Sequence, residues 1–157
     1  MIVYYLIGIL GVIFDFFTKK AAVKYLKDAP DMVIIEDVFH LSYVENRGAA
    51  FGILANQRYV FIVLTVVIIA TLIWWLHKKK PEGILMKLGA TLVISGAVGN
   101  FIDRVFLGYV VDFLNFCLIN FPVFNVADCL VCSGAFLIAL YYLFFDKENT
   151  GRIEEEE

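Results

Sequence analysis

The sequence contains few of the residues that soluble enzymes commonly use for catalysis and metal binding. Its 157 residues include two histidines, His40 and His77, and three cysteines. No His-Glu-x-x-His motif is present, so this type of zinc hydrolase is excluded. An odd number of cysteines without regular spacing argues against a disulfide scaffold. No basic patch runs beside aromatic residues, so we expect no nucleic-acid partner, and we also expect no metal and no organic cofactor.

Charged residues are also scarce, which indicates a membrane protein. Only 18% of the residues are charged and 61% are hydrophobic, and the mean hydropathy is +0.81. Soluble domains have about 25% charged and about 45–50% apolar residues. A surface this apolar suits lipid better than water.

Four long apolar stretches account for most of the chain, and a membrane-spanning helix needs about 20 such residues. The first stretch lacks a basic start and a small-residue cleavage site, so we interpret it as a retained helix. We therefore predict one membrane-embedded domain, residues 1–157. The predicted transmembrane segments are 2–20, 59–77, 84–106 and 126–145.

The segments between these spans are less regular. Residues 21–58 should form a region outside the membrane, with one or two short strands between Val33 and Val44. Residues 108–125 are hydrophobic but irregular, and we expect them to lie at the membrane surface. The tail, 146–157, ends in four glutamates and is predicted to be disordered. The basic loop from Lys78 to Lys80 favours a cytoplasmic location for the side of the membrane on which it lies. The numbers of Lys and Arg on the two sides are nearly equal, so this count does not decide the orientation.

Ionisable groups at membrane depth are costly and therefore suggest function. Four acids lie at or beside the predicted spans: Asp15, Asp103, Asp112 and Asp128. With four spans they all fall on the side opposite the Lys78–Lys80 loop, so we expect them to converge.

The four acids differ in their sequence neighbours. Asp15 with Lys19 forms an i,i+4 pair that can satisfy itself, so we interpret it as structural. Asp103 lies beside Arg104, and a supporting role is favoured there too. Asp112 and Asp128 have no basic neighbour within a helical turn and lie in apolar sequence.

A buried pair of carboxyl groups has a specific chemical use. Burial raises the pKa of a carboxyl group, and two carboxyls close together share one proton. The ionised member can take a proton from water while the protonated member donates to an amide. Spacing alone leaves catalysis, proton relay and a structural role open for Asp112 and Asp128.

Several longer stretches resemble the motifs of bacterial lipoprotein signal peptidase (signal peptidase II). Asp15 with Thr18-Lys19 is similar to the first motif of that family, although Phe16-Phe17 makes the match looser. Cys129 stands where many relatives have a hydroxyl residue. The matching pieces follow the family order over nearly the whole chain. The other stretches are Glu45–Gly52, Gly96–Arg104, Gly108–Phe113 and Phe124–Asp128.

The resemblance implies an aspartic endopeptidase that removes the signal peptide from diacylglyceryl-modified prolipoproteins, cutting just before the lipidated cysteine. It implies that Asp112 and Asp128 are the catalytic pair, whereas the i,i+4 spacing is what marks Asp15 and Lys19 as structural polar residues. The residues expected to shape the site or contact substrate are Asn46, Gly48, Asn100, Asp103, Arg104, Asn125 and Ala127.

The resemblance also implies a fold and a location. The expected fold is an all-α integral membrane protein with four transmembrane helices, a small extracytoplasmic β-cradle and a short extracytoplasmic helix. Both termini would be in the cytoplasm, and the site would face the outer leaflet of the bacterial cytoplasmic membrane. The expected partners are a diacylated prolipoprotein and membrane lipid, and we expect a monomer. The alternative is a non-enzymatic subunit of a proton-coupled transporter, in which the same acids relay protons.

Overall fold

The structure is a computed structural model that describes residues 2–48, 55–79, 81, 83–119 and 121–145. The tail predicted to be disordered, 146–157, lies outside the described residues. So does the second half of the predicted motif Glu45–Gly52.

The described residues form four helices that are long and apolar enough to cross a membrane. Together with a small three-stranded sheet, they confirm the fold class predicted from the sequence. In the described segments that connect the four helices, one short 3₁₀ helix is present, Cys117–Ile119. The four helices are α1 (Ile2–Leu26), α2 (Arg58–Lys79), α3 (Ile84–Phe106) and α4 (Val126–Phe144).

Helix α1 continues six residues beyond the end expected at residue 20. Residues 21–26 contain no helix breaker, and the helix ends shortly before Pro30, which disfavours helical geometry in the residue before it. The extra turn buries Ala22 and Leu26 against Val111 and Phe113. Residues expected to lie in the external region therefore join the helix to the sheet.

The sheet consists of β1 (Met32–Ile35), β2 (Phe39–Asn46) and β3 (Val110–Phe116), in the order β1-β2-β3 with antiparallel pairing. Strands β1 and β2 fall where the sequence predicted them. Strand β3 corrects the prediction that residues 108–125 are irregular. Its β-branched and aromatic residues suit a strand, but its partner β2 lies more than 60 residues earlier in the chain. A local pattern does not show such a long-range pairing.

Helix α3 contacts all three other helices, and its glycines allow this close packing. A Cβ atom at Gly96 would collide with the carbonyl oxygen of Ala127 in α4. At Gly99 it would lie 2.5 Å from Oδ2 of Asp15 in α1. The small residues therefore bring α1, α3 and α4 together at the level of the predicted site.

Candidate active site

A buried lysine lies at the centre of the polar network between α1 and α3. Lys19 Nζ is 2.9 Å from Asp15 Oδ2 and 3.0 Å from Asp103 Oδ2, and it donates to Asn100 Oδ1 at 2.9 Å. The exposed fractions of Lys19 and Asp15 are only 3% and 1%. The interpretation of Asp15 and Lys19 as a self-satisfied pair is therefore incomplete, because the lysine also holds two side chains of α3.

The two acids of this cluster also bind the segments that carry the predicted catalytic pair. Asp15 Oδ1 accepts a hydrogen bond from the backbone N–H of Ala127 at 2.8 Å. Asp103 Oδ2 accepts one from the N–H of Val111 at 3.1 Å. The cluster thus fixes the start of α4, one residue before Asp128, and the part of β3 just before Asp112.

Two asparagines connect Lys19 to both predicted catalytic acids. Asn100 Oδ1 faces Lys19, which can only donate, so the Nδ2 group of Asn100 points the other way and donates to Asp128 Oδ1 at 2.8 Å. Asn125 Nδ2 donates to Asn100 Oδ1 at 3.1 Å and to Asp112 Oδ1 at 2.6 Å. The positive charge of Lys19 therefore sets the orientation of the asparagine side chains.

Asp128 lies in the first turn of α4 and takes part in the helix cap. The Asn125 side chain accepts from the backbone N–H of Asp128 at 3.0 Å, and Asp128 Oδ2 accepts from the N–H of Asn125 at 3.1 Å. These reciprocal bonds form a capping box. The N-terminal end of a helix also stabilises a negative charge. The cap therefore holds the Asp128 carboxyl group at the N-terminal end of α4.

Asp112 lies on β3, not on a helix, and its side chain is buried with 1% exposed. Burial, together with the nearby charge of Asp128, raises the pKa of Asp112 to about 6, although the hydrogen bond from Asn46 Nδ2 opposes this rise. The two carboxyl groups are not hydrogen-bonded to each other, and Asn125 connects them instead. Asp112 is the member of the pair that holds a proton more readily than an ordinary aspartate.

The remaining predicted residues form one edge of the site. Asn46 Oδ1 accepts from the N–H of Gly48 at 2.9 Å, which fixes the amide that faces Asp112. Arg104 Nη2 donates to the carbonyl of Gly48 at 3.2 Å, and its guanidinium lies 4.8 Å from the ring centroid of Phe61. No carboxylate of the described residues lies within salt-bridge distance of Arg104. Its positive charge is therefore available to the cavity.

Asp112 and Asp128 both line a cavity of about 480 Å³. Sequence reasoning missed the apolar part of this wall, although Pro122 among aromatic residues was a signal for it. Cys129 and Cys132 are exposed to the cavity and form no disulfide. The other lining residues are Asn46, Gly48, Asn100, Arg104, Val110, Phe121, Pro122, Val123 and Phe124.

Comparison with known proteins agrees with this arrangement. Residues 7–144 match the signal peptidase (SPase) II family. The chain belongs to the signal peptidase II family. It is 46% identical over 147 residues to the lipoprotein signal peptidase of Halothermothrix orenii, covering 94% of this chain and 98% of that protein. It is 44% identical over 149 residues to the lipoprotein signal peptidase of Brevibacillus brevis, covering 93% and 98%.

Two solved structures show the same fold. Both are described as bacterial membrane enzymes, determined by the in meso method at 2.3 and 1.9 Å resolution. They align with TM-scores of 0.88 and 0.83, at 32% and 33% identity, and each alignment covers 94% of this chain. The two alignments cover 92% and 96% of the respective solved chains. This signal peptidase II relative is thus a multi-pass bacterial membrane protein, and membership of a protease family does not favour the transporter alternative.

Proposed function

We propose that the protein is an aspartic endopeptidase that cleaves the signal peptide of prolipoproteins, with Asp112 and Asp128 as its catalytic pair. The observation that supports this proposal best is the shared cavity of the two acids. Their carboxyl groups come from β3 and α4, face the same space and are connected through Asn125. Family membership supports cleavage of a signal peptide, and the shared cavity supports a mechanism that uses both acids.

We assign different roles to the two acids from their surroundings. Asp128, at the helix N-terminus and hydrogen-bonded by Asn100 and Asn125, is the general base. It takes a proton from a water molecule whose oxygen attacks the scissile carbonyl carbon. Asp112, with its raised pKa, gives its proton to the carbonyl oxygen. When the tetrahedral intermediate breaks down, the C–N bond breaks and the proton on Asp128 passes to the leaving nitrogen. One hydroxyl proton of the intermediate returns to Asp112 as the new carbonyl forms, so both acids regain their starting states.

The residues around the pair stabilise its charges and hold its geometry. Arg104 places a positive charge beside the cavity, where negative charge develops on the substrate oxygen. Asn46 and Asn125 hold the two oxygens of Asp112. Lys19 acts through Asn100, so we assign it a positioning role and not a catalytic one.

The proposed substrate is a diacylglyceryl-modified prolipoprotein, cut just before the lipidated cysteine. The apolar wall of the cavity, around Phe121 and Phe124, suits a chain that is anchored in lipid. The basic residues Lys78 and Lys79 lie at the opposite end of the bundle, and the positive-inside rule favours that end being cytoplasmic. Both termini would then be cytoplasmic and the site would face the outer leaflet. Since one chain supplies both acids, a monomer can be active.

The variants Asp112→Asn and Asp128→Asn test the assignment. Each replaces a carboxyl group by an amide of the same shape, which cannot exchange the required proton. We expect each to lower cleavage of a purified diacylated prolipoprotein by about 10²–10⁴-fold or more. Asp31→Asn is the matched control, because this exposed aspartate lies at the start of the external sheet region. It should cleave at the wild-type rate.

Melting temperatures separate a chemical defect from a folding defect. Both site variants should melt within a few degrees of the wild type, because neither substitution changes the side-chain volume. Wild-type turnover by either folded variant would refute the proposed pair. Equal cleavage of diacylated and unacylated substrates would refute the proposed substrate class and leave the catalytic assignment intact.

A further inference from the structure

A second cavity lies at the opposite end of the bundle from the acids. It has a volume of about 470 Å³ and is enclosed by α1, α2 and α3. It shares no lining residue with the cavity of Asp112 and Asp128. Its lining residues are Tyr4, Tyr5, Gly8, Ile9, Val12, Ile13, Ile73, Leu76, His77, Lys87, Thr91, Ile94, Ser95 and Val98.

The inner wall of this second cavity presents apolar groups. The hydroxyl groups of Thr91 and Ser95 on α3 are already used by the helices. Thr91 donates to the carbonyl of Lys87 at 2.8 Å, and Ser95 donates to the carbonyl of Gly8 at 2.9 Å. A ligand inside therefore meets mainly methyl and methylene groups, and van der Waals packing with a hydrocarbon chain is the favourable interaction available there.

The length of the cavity matches one leaflet of a bilayer. From Lys87 to Val98 the α3 wall rises about 16 Å, at about 1.5 Å per residue. The hydrocarbon core of a bilayer is about 30 Å thick, so one leaflet contributes about 15 Å. The cavity therefore has the length of an acyl chain.

Polar groups gather at the mouth of the cavity. Lys87 lies there and forms no ion pair within the part of the chain that the structure describes. His77 Nδ1 donates to the carbonyl of Ile73 at 2.8 Å, so Nε2 of the neutral ring accepts from the Tyr5 hydroxyl at 3.0 Å. This bond closes α1 onto α2. Among the described residues that line the cavity, Lys87 carries a positive charge with no ion-pair partner.

We propose that this cavity binds one anionic glycerophospholipid. One acyl chain lies between α1 and α3, and the phosphate lies at Lys87. In the orientation proposed above, this lipid belongs to the cytoplasmic leaflet. The inference depends on the second cavity alone, and its test measures lipid binding, so it can fail or succeed independently of the proposed peptidase chemistry.

Native mass spectrometry of the full chain can test the proposal. The detergent-purified protein is incubated with phosphatidylglycerol or phosphatidylcholine that carry identical acyl chains, and the lipid retained per chain is counted. We expect one retained phosphatidylglycerol and a preference over phosphatidylcholine. Lys87→Gln should lower that preference about fivefold, as expected for one lysine at an anionic lipid. Lys79→Gln is the matched control, since this lysine lies at the same end but does not line the cavity.

Cavity-filling variants test where the acyl chain lies. Val12→Phe on α1 should reduce retention of both lipids about tenfold without changing the melting temperature. Ile94→Phe on the α3 wall serves the same purpose if Val12→Phe does not fold. Full retention by a folded cavity-filling variant would overturn the proposal, as would equal effects of Lys87→Gln and Lys79→Gln. Displacement of the lipid by a synthetic signal-peptide helix, or a dimer in place of bound lipid, would also overturn it.

Discussion

Replacing Lys19 with methionine tests whether the buried ion cluster holds the site together. Methionine keeps the length of the apolar stem and removes the charge and its three close polar contacts, at 2.9, 3.0 and 2.9 Å. Asp15 and Asp103 would then keep two negative charges in a buried space without the cation between them. Removal of one partner from a buried ion pair costs about 3–5 kcal/mol.

The expected loss is large enough to measure by thermal unfolding. For a chain of this length about 1 kcal/mol shifts the melting temperature by roughly 2–4 °C, so Lys19→Met should lower it by about 10 °C. Lys20→Met is the matched control, because this exposed neighbour packs its charge over Phe16 at 5.5 Å. The control should change stability by less than about 0.5 kcal/mol.

The same variant should lower cleavage beyond its effect on folding. Without Lys19, the Asn100 side chain loses the donor that fixes its orientation toward Asp128. The activity of the folded fraction should therefore fall as well. Adding Asp15→Asn removes one unpaired charge and should recover part of the melting temperature, so the two changes are not additive. If Lys19→Met melts within about 2 °C of the wild type, the buried ion cluster does not stabilise the fold.

Three further predictions concern the acids and the helix packing. Asn100→Asp replaces the donor to Asp128 by a second carboxylate, so its kcat should fall at least tenfold. The kcat of Asn100→Ala should fall less, and equal losses in the two variants would exclude charge repulsion as the cause. Protonated Asp112 is the proposed acid and its pKa is raised to about 6, so kcat/KM should fall as the pH rises through about 6. A rise of kcat/KM there would reverse the assignment of acid and base. Gly96→Ala forces its methyl group against α4 and should lower the free energy of unfolding by about 1–3 kcal/mol, measured by thermal unfolding. Gly8→Ala should lower it less, because the nearest atom to its added methyl group is 3.3 Å away. Equal losses of stability would contradict this packing.

The spans could be predicted from the sequence because lipid imposes a simple requirement. An apolar stretch must be long enough to cross the bilayer with its backbone hydrogen bonds satisfied, and this requirement is local. The end of α1 was the exception. Residues 21–26 are more polar than a span, and they stay helical because Ala22 and Leu26 pack against β3. That contact joins residues almost 90 positions apart, so no sequence window contains it.

The meeting of the acids could be predicted in outline but not in its geometry. Counting spans placed Asp112 and Asp128 on one side, yet Asp112 reaches the site from a strand. The sequence also indicated an Asp15–Lys19 pair, whereas the hydrogen bond from Lys19 to Asn100 depends on the close approach of α1 and α3. Local spacing reveals partners within one helix. It does not reveal which side chains of another helix complete the polar cluster around Lys19.

The capping box at Asn125 and Asp128 has a consequence for the catalytic cycle. The carboxylate proposed to accept the water proton also accepts a hydrogen bond from the N–H of Asn125 at 3.1 Å. A hydrogen bond to a neutral acceptor is roughly half as strong as one to a charged acceptor. In the proposed cycle, the first turn of α4 is therefore held less tightly while Asp128 carries the proton. It is held as before once that proton has passed to the leaving nitrogen.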